Sequence, residues 1–169
     1  VVGNPPYVRQ ELIPDVLMAE YRARYQTIYD RADIYIPFIE RSLSLLEKKG
    51  QLGFICADRW MKNRYGGPLR AMVADGFHLS IYVDMVNTPA FHQDVVAYPA
   101  ITIIGRERGV QTRIAHRPDI SKSSLAQLAA ILCSAQKPSS DFGVKELESF
   151  TSGSEPLIIE SSDRPSFVR

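Results

Sequence analysis

The sequence lacks the features that mark secreted and membrane-spanning proteins. It contains two cysteines in 169 residues, Cys56 and Cys133, and neither lies at a Cys-x-x-Cys or Cys/His spacing, which argues against a disulfide framework and a zinc knuckle. Its apolar runs are far shorter than the ~20 residues of a membrane helix, and no basic and apolar leader opens it. We therefore expect a soluble protein of a reducing, cytoplasmic setting, with no membrane partner.

An excess of charge of one sign is also missing. Lys and Arg number 20 against 19 Asp and Glu, which gives a formal net charge of +1. Bulk charge therefore indicates no partner, and contact with nucleic acid would need a local basic patch. With 45% hydrophobic residues, the chain can bury the core of one ordinary domain. It opens on Val1-Val2-Gly3, which is typical of the end of a buried strand, so we interpret the chain as a piece of a longer polypeptide.

Hydrophobic spacing predicts part of a layered α/β sheet with helices on its faces. Helices are predicted over 14–29, 33–50, 68–76 and 124–133. Strands are predicted over 51–56, 79–86 and 100–105, of which the last two can pair antiparallel. Residues 59–67 are predicted as a polar, aromatic loop. The pattern weakens beyond Arg106, so residues 107–169 are interpreted as an extension toward another region.

The most informative residues are Asn4-Pro5-Pro6-Tyr7, directly after the predicted strand end. A given four-residue string occurs by chance in about one chain in a thousand of this length, and in open α/β sheets ligands bind outside the carboxyl ends of strands. Two prolines remove two donors and leave carbonyls free to accept. With the Asn side chain, they can receive both protons of a planar amino group and draw its lone pair out of conjugation, as attack on a methyl donor requires. Tyr7 can stack on a base, worth ~1–3 kcal/mol.

The alternative interpretation of this motif is a rigid strand-exit turn without chemistry. The motif resembles that of S-adenosylmethionine-dependent amino methyltransferases. Further segments, in the same order along the chain, resemble adenine-specific DNA methyltransferases of restriction-modification systems, above all those fused to an endonuclease. The resemblance covers about residues 1–106 and lies in Ala32-Asp33-Ile34-Tyr35, Phe38-Ile39-Glu40, Gly50-Gln51-Leu52-Gly53-Phe54-Ile55, Arg59-Trp60, Tyr65-Gly66 and Leu69-Arg70.

The resemblance implies the C-terminal half of a Rossmann-like sheet with one antiparallel strand, and a target adenine flipped out of double-stranded DNA. It implies that the Asn4 side chain and the Pro5 carbonyl accept from the adenine amino group while Tyr7 stacks on the ring. Phe38 matches an aromatic contact to the adenine of the methyl donor. Phe91 matches an aromatic that packs against the target base. For both phenylalanines, an ordinary packing role is the alternative.

A basic segment offers a candidate DNA contact. Cations and aromatics alternate there on a predicted loop at a strand's carboxyl end, so they can grip phosphates and stack on an unpaired base. A solvated loop is the alternative. The residues are Arg59, Trp60, Lys62, Arg64, Tyr65 and Arg70.

One departure limits what the resemblance implies. In the family, a glycine-rich donor-binding loop precedes the motif, whereas this sequence starts at the motif and contains no Gly-x-Gly. We therefore expect this chain alone to bind S-adenosylmethionine weakly and to need the remainder of the parent polypeptide. No metal site or nucleophilic serine is indicated. Methylation of a protein glutamine and a non-catalytic DNA-binding module stay open as alternatives.

Overall fold

The computed structural model describes residues 1–90, 98–138, 143–148, 153–157 and 159, and these contain one mixed six-stranded sheet. The strands are β1 (Val2–Gly3), β2 (Gln51–Ala57), β3 (His78–Asp84), β4 (Pro99–Gly105), β5 (Gln111–His116) and β6 (Lys145–Glu148). The helices are α1 (Asp15–Arg24), α2 (Tyr35–Ser44), α3 (Arg59–Lys62), α4 (Gly67–Gly76) and α5 (Lys122–Cys133), with 3-10 turns at Gln10–Leu12 and Arg64–Gly66.

The strand order across the sheet is β1, β2, β4, β3, β5, β6. Strands β1 and β2 are parallel, as are β3 and β5, whereas β4 runs antiparallel between β2 and β3. The predicted α/β sheet and the antiparallel pairing of β3 with β4 are confirmed. As a result, the carboxyl ends of β1, β2, β3 and β5 lie at the same edge of the sheet. This is the edge at which open α/β sheets bind their ligands.

Helix α2 buries most of the apolar stripe that its spacing predicts, but Phe38 of that stripe is exposed. Tyr35, Ile39 and Leu43 recur at four-residue spacing, which places them on one face in the core. The predicted helix begins at Asp33, a residue type that often caps helices, but the cap residue is Ile34 and no side chain caps it. The Asp33 side chain instead lies in a polar cleft described below. The buried residues are Tyr35, Ile36, Pro37, Ile39 and Leu43.

The predicted helix over 14–29 is shorter than expected. It ends at Arg24 because Tyr25 adopts an extended conformation, with φ −120°, and no residue of α1 is buried. The following turn binds Glu40 on α2: its carboxylate accepts from the backbone N–H groups of Gln26 at 3.1 Å and Thr27 at 2.9 Å, and from the Thr27 hydroxyl at 2.6 Å. This long-range carboxylate contact replaces the last predicted helical turn.

Residues beyond 106 join the same sheet, so the predicted division falls within the sheet. Strand β5 pairs with β3, and β6 pairs with β5. Strand β5 is absent from the predicted strands because it contains polar residues. These residues are accommodated in the sheet by partners that are distant in sequence. Thr112 is buried and its hydroxyl donates to the Leu79 carbonyl at 2.6 Å. Arg113 forms an ion pair with Glu146 of β6 at 2.9 Å and donates to carbonyls at the end of α5.

Two smaller observations complete the fold. Strand β1 is present as predicted, and among the described residues it pairs with β2 and leaves Val2 91% exposed. In the part of the chain that the structure describes, no helix is both long and apolar enough to cross a membrane.

Candidate functional site

The Asn-Pro-Pro-Tyr motif leaves β1 at the carboxyl edge of the sheet. Gly3 pairs with Phe54, so the motif continues alongside the last residues of β2. Asn4 is exposed and Pro5 is buried. The proline ring fixes φ of Pro5 and so limits the backbone conformations of the motif. The Asn4 side chain forms no hydrogen bond with any other described residue, and no described backbone N–H donates to the Pro5 carbonyl. The site therefore holds two acceptors, adjacent in sequence, to which no described group donates.

Tyr7 presents a half-open aromatic surface next to these acceptors. Its side chain is 45% exposed, and its ring packs on Tyr35 with centroids 6.3 Å apart at 46°, within the range of favourable aromatic pairs. Burial of its inner part, together with the nearby Cys56, raises the pKa of Tyr7 to about 12. The phenol therefore stays neutral at physiological pH.

A buried pair of hydroxyl groups lies beneath Tyr7. Tyr35 is fully buried, and its hydroxyl forms a 2.9 Å hydrogen bond with that of Tyr65. Burial raises the pKa of Tyr35 and of Tyr65, so both hydroxyls stay protonated. Tyr65 was predicted as an exposed DNA contact. Its side chain is only 9% exposed, so its ring belongs to the core and cannot serve as a stacking surface in this structure.

Asp58 forms a second buried polar cluster, which the sequence analysis missed. It directly follows β2 and is 3% exposed. One carboxylate oxygen, Oδ2, accepts from Lys62 Nζ at 2.9 Å and from the Tyr82 hydroxyl at 2.8 Å. The Asp58 backbone N–H donates to the Tyr98 carbonyl at 3.0 Å. Asp58 thus connects β2, α3, β3 and the start of β4. The sequence feature that could have indicated this cluster is an acidic residue directly after an apolar strand.

The basic segment divides into surface cations and core residues. The Arg59 guanidinium lies 4.6 Å from the Tyr98 ring centroid, and Arg64 donates to the exposed Tyr29 hydroxyl at 3.2 Å. Lys62 pairs with Asp58 yet keeps 49% of its side chain exposed. Trp60, in contrast, is 0% exposed. The expectation that Trp60 stacks on an unpaired base is therefore corrected, because no face of its ring is accessible.

Arg70 is also a core residue rather than a surface cation. Its guanidinium donates to the backbone carbonyls of Trp60 at 2.6 Å, of Asn63 at 2.8 Å and of Ser154 at 2.7 and 2.9 Å. These bonds hold the segment of α3 and the following 3-10 turn against α4. This explains why a stretch predicted as a loop is folded.

We expect Arg70→Met in the complete polypeptide to lower the stability of this domain by about 2–3 kcal/mol, because it leaves partly buried carbonyls without donors. Arg64→Met is the matched control, since Arg64 is exposed and such substitutions stay within about 0.5 kcal/mol. The measurement is the urea midpoint of unfolding of each variant, followed by circular dichroism. Equal midpoints for the two variants would contradict the structural role of Arg70.

A polar cleft of about 330 Å³ opens at this edge of the sheet. Burial, then the nearby Glu11, raises the pKa of Asp33 inside it, and Arg9 and Arg59 oppose this shift. A wider groove of about 650 Å³ runs past Tyr29, Lys62 and Arg64. The residues that line the polar cleft are Arg9, Glu11, Arg31, Asp33, Arg59, Asn63 and Tyr65.

The two predicted aromatic contacts have different outcomes. Phe38 is 45% exposed, whereas its helix neighbours Tyr35 and Ile39 are buried. Among the described residues the Phe38 ring is therefore partly accessible, as contact with a ligand would require. Phe91 lies outside the described residues.

Solved structures of restriction-modification enzymes share this fold. A modification subunit of a putative type I restriction enzyme from Vibrio vulnificus matches with a TM-score of 0.67 at 6% identity, over 92% of this chain and 36% of that one. The type IIG restriction endonuclease BpuSI matches with a TM-score of 0.62 at 13% identity, over 87% of this chain and 18% of that one. A putative class I S-adenosylmethionine-dependent methyltransferase from Listeria monocytogenes is similar in fold, with a TM-score of 0.58 at 15% identity, over 78% of this chain and 41% of that one.

Curated proteins match the chain at much higher sequence identity than these structures do. The type II methyltransferase M.PaeR7I of Pseudomonas aeruginosa is 66% identical over all of this chain, and M.XhoI of Xanthomonas vasicola is 54% identical over all of it. The chain spans 29% and 32% of the lengths of these relatives. The family model of the Eco57I restriction-modification methylase matches residues 1–91. This chain belongs to the Eco57I restriction-modification methylase family.

Proposed function

We propose that the chain carries the catalytic motif of a DNA methyltransferase, which transfers a methyl group from S-adenosylmethionine to the exocyclic amino group of adenine within a restriction-modification system. The observation that carries this proposal is the pair of free acceptors on Asn4 and Pro5 beside the half-open ring of Tyr7. Relatives that cover the whole chain are type II methyltransferases, which supports the same reaction class.

The motif acts on the amino group without a general base. The Asn4 carboxamide oxygen and the Pro5 carbonyl each accept one amino proton, which holds the nitrogen lone pair out of the ring and aims it outward. The neutral Tyr7 ring stacks on the flipped base and fixes its plane. When bound, S-adenosylmethionine supplies the methyl group on a sulfonium. As the N–C bond forms, the S–C electron pair goes to sulfur, and the surplus amino proton leaves to solvent.

The accessible Phe38 ring is proposed to pack on the adenine of the methyl donor. Most of the donor site then comes from the remainder of the polypeptide, since the chain spans about a third of its relatives. Residues 1–106 are proposed as the catalytic-motif half, with residues 107–169 leading toward a target-recognition region. Phe91 is proposed to pack against the target base.

Arg59, Lys62 and Arg64 are proposed to bind DNA phosphates, because they are the surface cations of the basic segment. We expect Arg64→Ala in the complete polypeptide to weaken DNA binding several-fold and to reduce the salt dependence of the affinity by about one counterion. The matched control is Lys48→Ala, an exposed cation that precedes β2 and so lies at the opposite edge of the sheet. The measurement is DNA affinity by fluorescence anisotropy across a salt series. Equal salt slopes for wild type and Arg64→Ala would exclude Arg64 as a phosphate contact.

The reaction class is tested by offering the complete polypeptide radiolabelled S-adenosylmethionine with both unmethylated DNA and a glutamine-containing protein substrate. We expect label on DNA alone. Label on protein alone would favour the glutamine alternative. DNA binding with no transfer to either substrate, in a protein that also binds no donor, would favour the non-catalytic module.

A further inference from the structure

We propose that Tyr35 is a positioning residue that fixes the ring of Tyr7, and that Tyr65 holds Tyr35 in place through the bond between their hydroxyls. This inference rests on the proposed function, in which Tyr7 stacks on the flipped base. It assigns a role to two tyrosines outside the Asn-Pro-Pro-Tyr motif. Both act through Tyr7, and neither touches the reacting atoms.

The ring of Tyr7 packs on the ring of Tyr35. Tyr7 is half exposed on a segment that leaves the sheet, so the strand ladder does not fix its ring. Tyr35 is 0% exposed and lies in the first turn of α2, whose apolar face is packed into the core. The tilted ring contact, with centroids 6.3 Å apart, therefore joins the half-exposed Tyr7 ring to a ring that is held in the core. Among the described residues, Tyr35 is the aromatic partner of Tyr7.

The hydroxyl of Tyr35 is bonded to that of Tyr65. A buried hydroxyl without a partner is unfavourable, so Tyr35 can occupy the core only if its hydroxyl is bonded. The 2.9 Å bond to Tyr65 meets this requirement and fixes the direction of the Tyr35 ring within its helix turn. A phenylalanine would fill the same volume but would lack this anchor.

The position of Tyr65 extends the chain of contacts to the basic segment. Tyr65 lies in the 3-10 turn Arg64–Gly66 and also lines the polar cleft with Arg59 and Asn63. Arg64, its neighbour in the turn, is one of the proposed phosphate contacts. The contacts thus connect the DNA-binding segment with the stacking ring through two buried tyrosines.

The test uses four variants of the complete polypeptide: Tyr35→Phe, Tyr65→Phe, the double Phe variant and Tyr35→Leu. Each is measured for kcat of methyl transfer, for DNA affinity, and for the fluorescence of 2-aminopurine placed at the target base, whose emission is quenched by stacking. The matched control is Thr112→Val, which deletes another buried hydroxyl bond, between β5 and the Leu79 carbonyl. If a buried hydroxyl bond serves stability alone, its removal lowers the stability of the protein but leaves the 2-aminopurine fluorescence unchanged. This is the result expected for the control.

We expect Tyr35→Phe and Tyr65→Phe each to lower kcat about 5-fold and to brighten the target-base fluorescence, with DNA affinity within about 2-fold of wild type. The double Phe variant is expected to be no slower than either single one, because the two hydroxyls act as a unit. Tyr35→Leu, which also removes the ring contact, is expected to lower kcat about 30-fold or more. Thr112→Val is expected to keep both kcat and fluorescence.

Wild-type kcat and wild-type fluorescence in both Tyr35→Phe and Tyr65→Phe would overturn the inference. These two variants test the inference even if Tyr35→Leu does not fold. This outcome differs from a failure of the proposed function, in which the wild-type polypeptide itself would transfer no methyl group to DNA. An equal loss in Thr112→Val would also overturn the inference, because the effect would then be one of general stability.

Discussion

Replacing Asn4 with alanine in the complete polypeptide is expected to lower the rate of methyl transfer by about 100- to 1000-fold. This is the effect of removing one pre-positioned hydrogen-bonding group from a site where charge shifts during the reaction. The thermal midpoint is expected to stay unchanged, because the Asn4 side chain is exposed and bonds to no other described residue. The measurement is a single-turnover transfer assay next to a thermal melt of the same preparation.

Two further variants make this result specific. Asn4→Asp keeps an acceptor oxygen at the same place, so it is expected to retain measurable transfer. Gln127→Ala removes an exposed amide from α5, away from the motif, and is expected to transfer at the wild-type rate. Wild-type transfer by Asn4→Ala would refute the assignment of Asn4 as an acceptor for the amino group.

Replacing Gly66 with alanine is expected to destabilise the domain by about 4 kcal/mol or more, enough to reduce the yield of folded protein. A methyl group at Gly66 would overlap the backbone carbonyl of Trp60, which also accepts from Arg70. The expected destabilisation comes from this steric clash and not from backbone strain, since φ of Gly66 is −77°. Because backbone atoms form the obstacle, no side-chain rotation can relieve it.

Gly76→Ala is the matched control, at the last residue of α4. No described atom outside its own helix turn lies within 4 Å of a methyl group added there. We expect its stability to stay within about 1 kcal/mol of wild type. The measurement is the thermal midpoint of both variants, with the yield of folded protein as a second readout. Similar midpoints for Gly66→Ala and Gly76→Ala would show that the packing around Trp60 does not depend on this close approach.

The elements that the sequence predicted well are those whose own residues carry the signal. Helix α2 has an apolar stripe at helical spacing, and β2 and β4 are short apolar runs. Strand β5 and helix α3 escaped prediction because their stability depends on distant partners. Arg113 is satisfied by β6 and α5, and Arg70 satisfies the carbonyls of residues that look like a loop.

The same distinction applies to the site. The position of Asn4 at a strand's carboxyl end follows from local pattern, and the sheet places it there. The Tyr35–Tyr65 pair joins residues 30 apart, and the Asp58–Tyr82 bond joins residues 24 apart, so no spacing rule predicts them. Trp60 was expected at the surface because its neighbours in sequence are charged. Its side chain lies in the buried core cluster, and its backbone lies against Gly66 and accepts a hydrogen bond from Arg70 of α4, contacts that only the fold shows.

The central claim concerns the chemistry of the Asn-Pro-Pro-Tyr motif, and nucleoside mass spectrometry tests it most directly. Unmethylated DNA is incubated with the complete polypeptide and S-adenosylmethionine, then digested to nucleosides, with Asn4→Ala run in parallel. We predict adenine methylated on its exocyclic nitrogen in the wild-type reaction and a loss of at least about 100-fold in the variant. Unmodified adenine from a folded, donor-binding wild-type protein would contradict the claim.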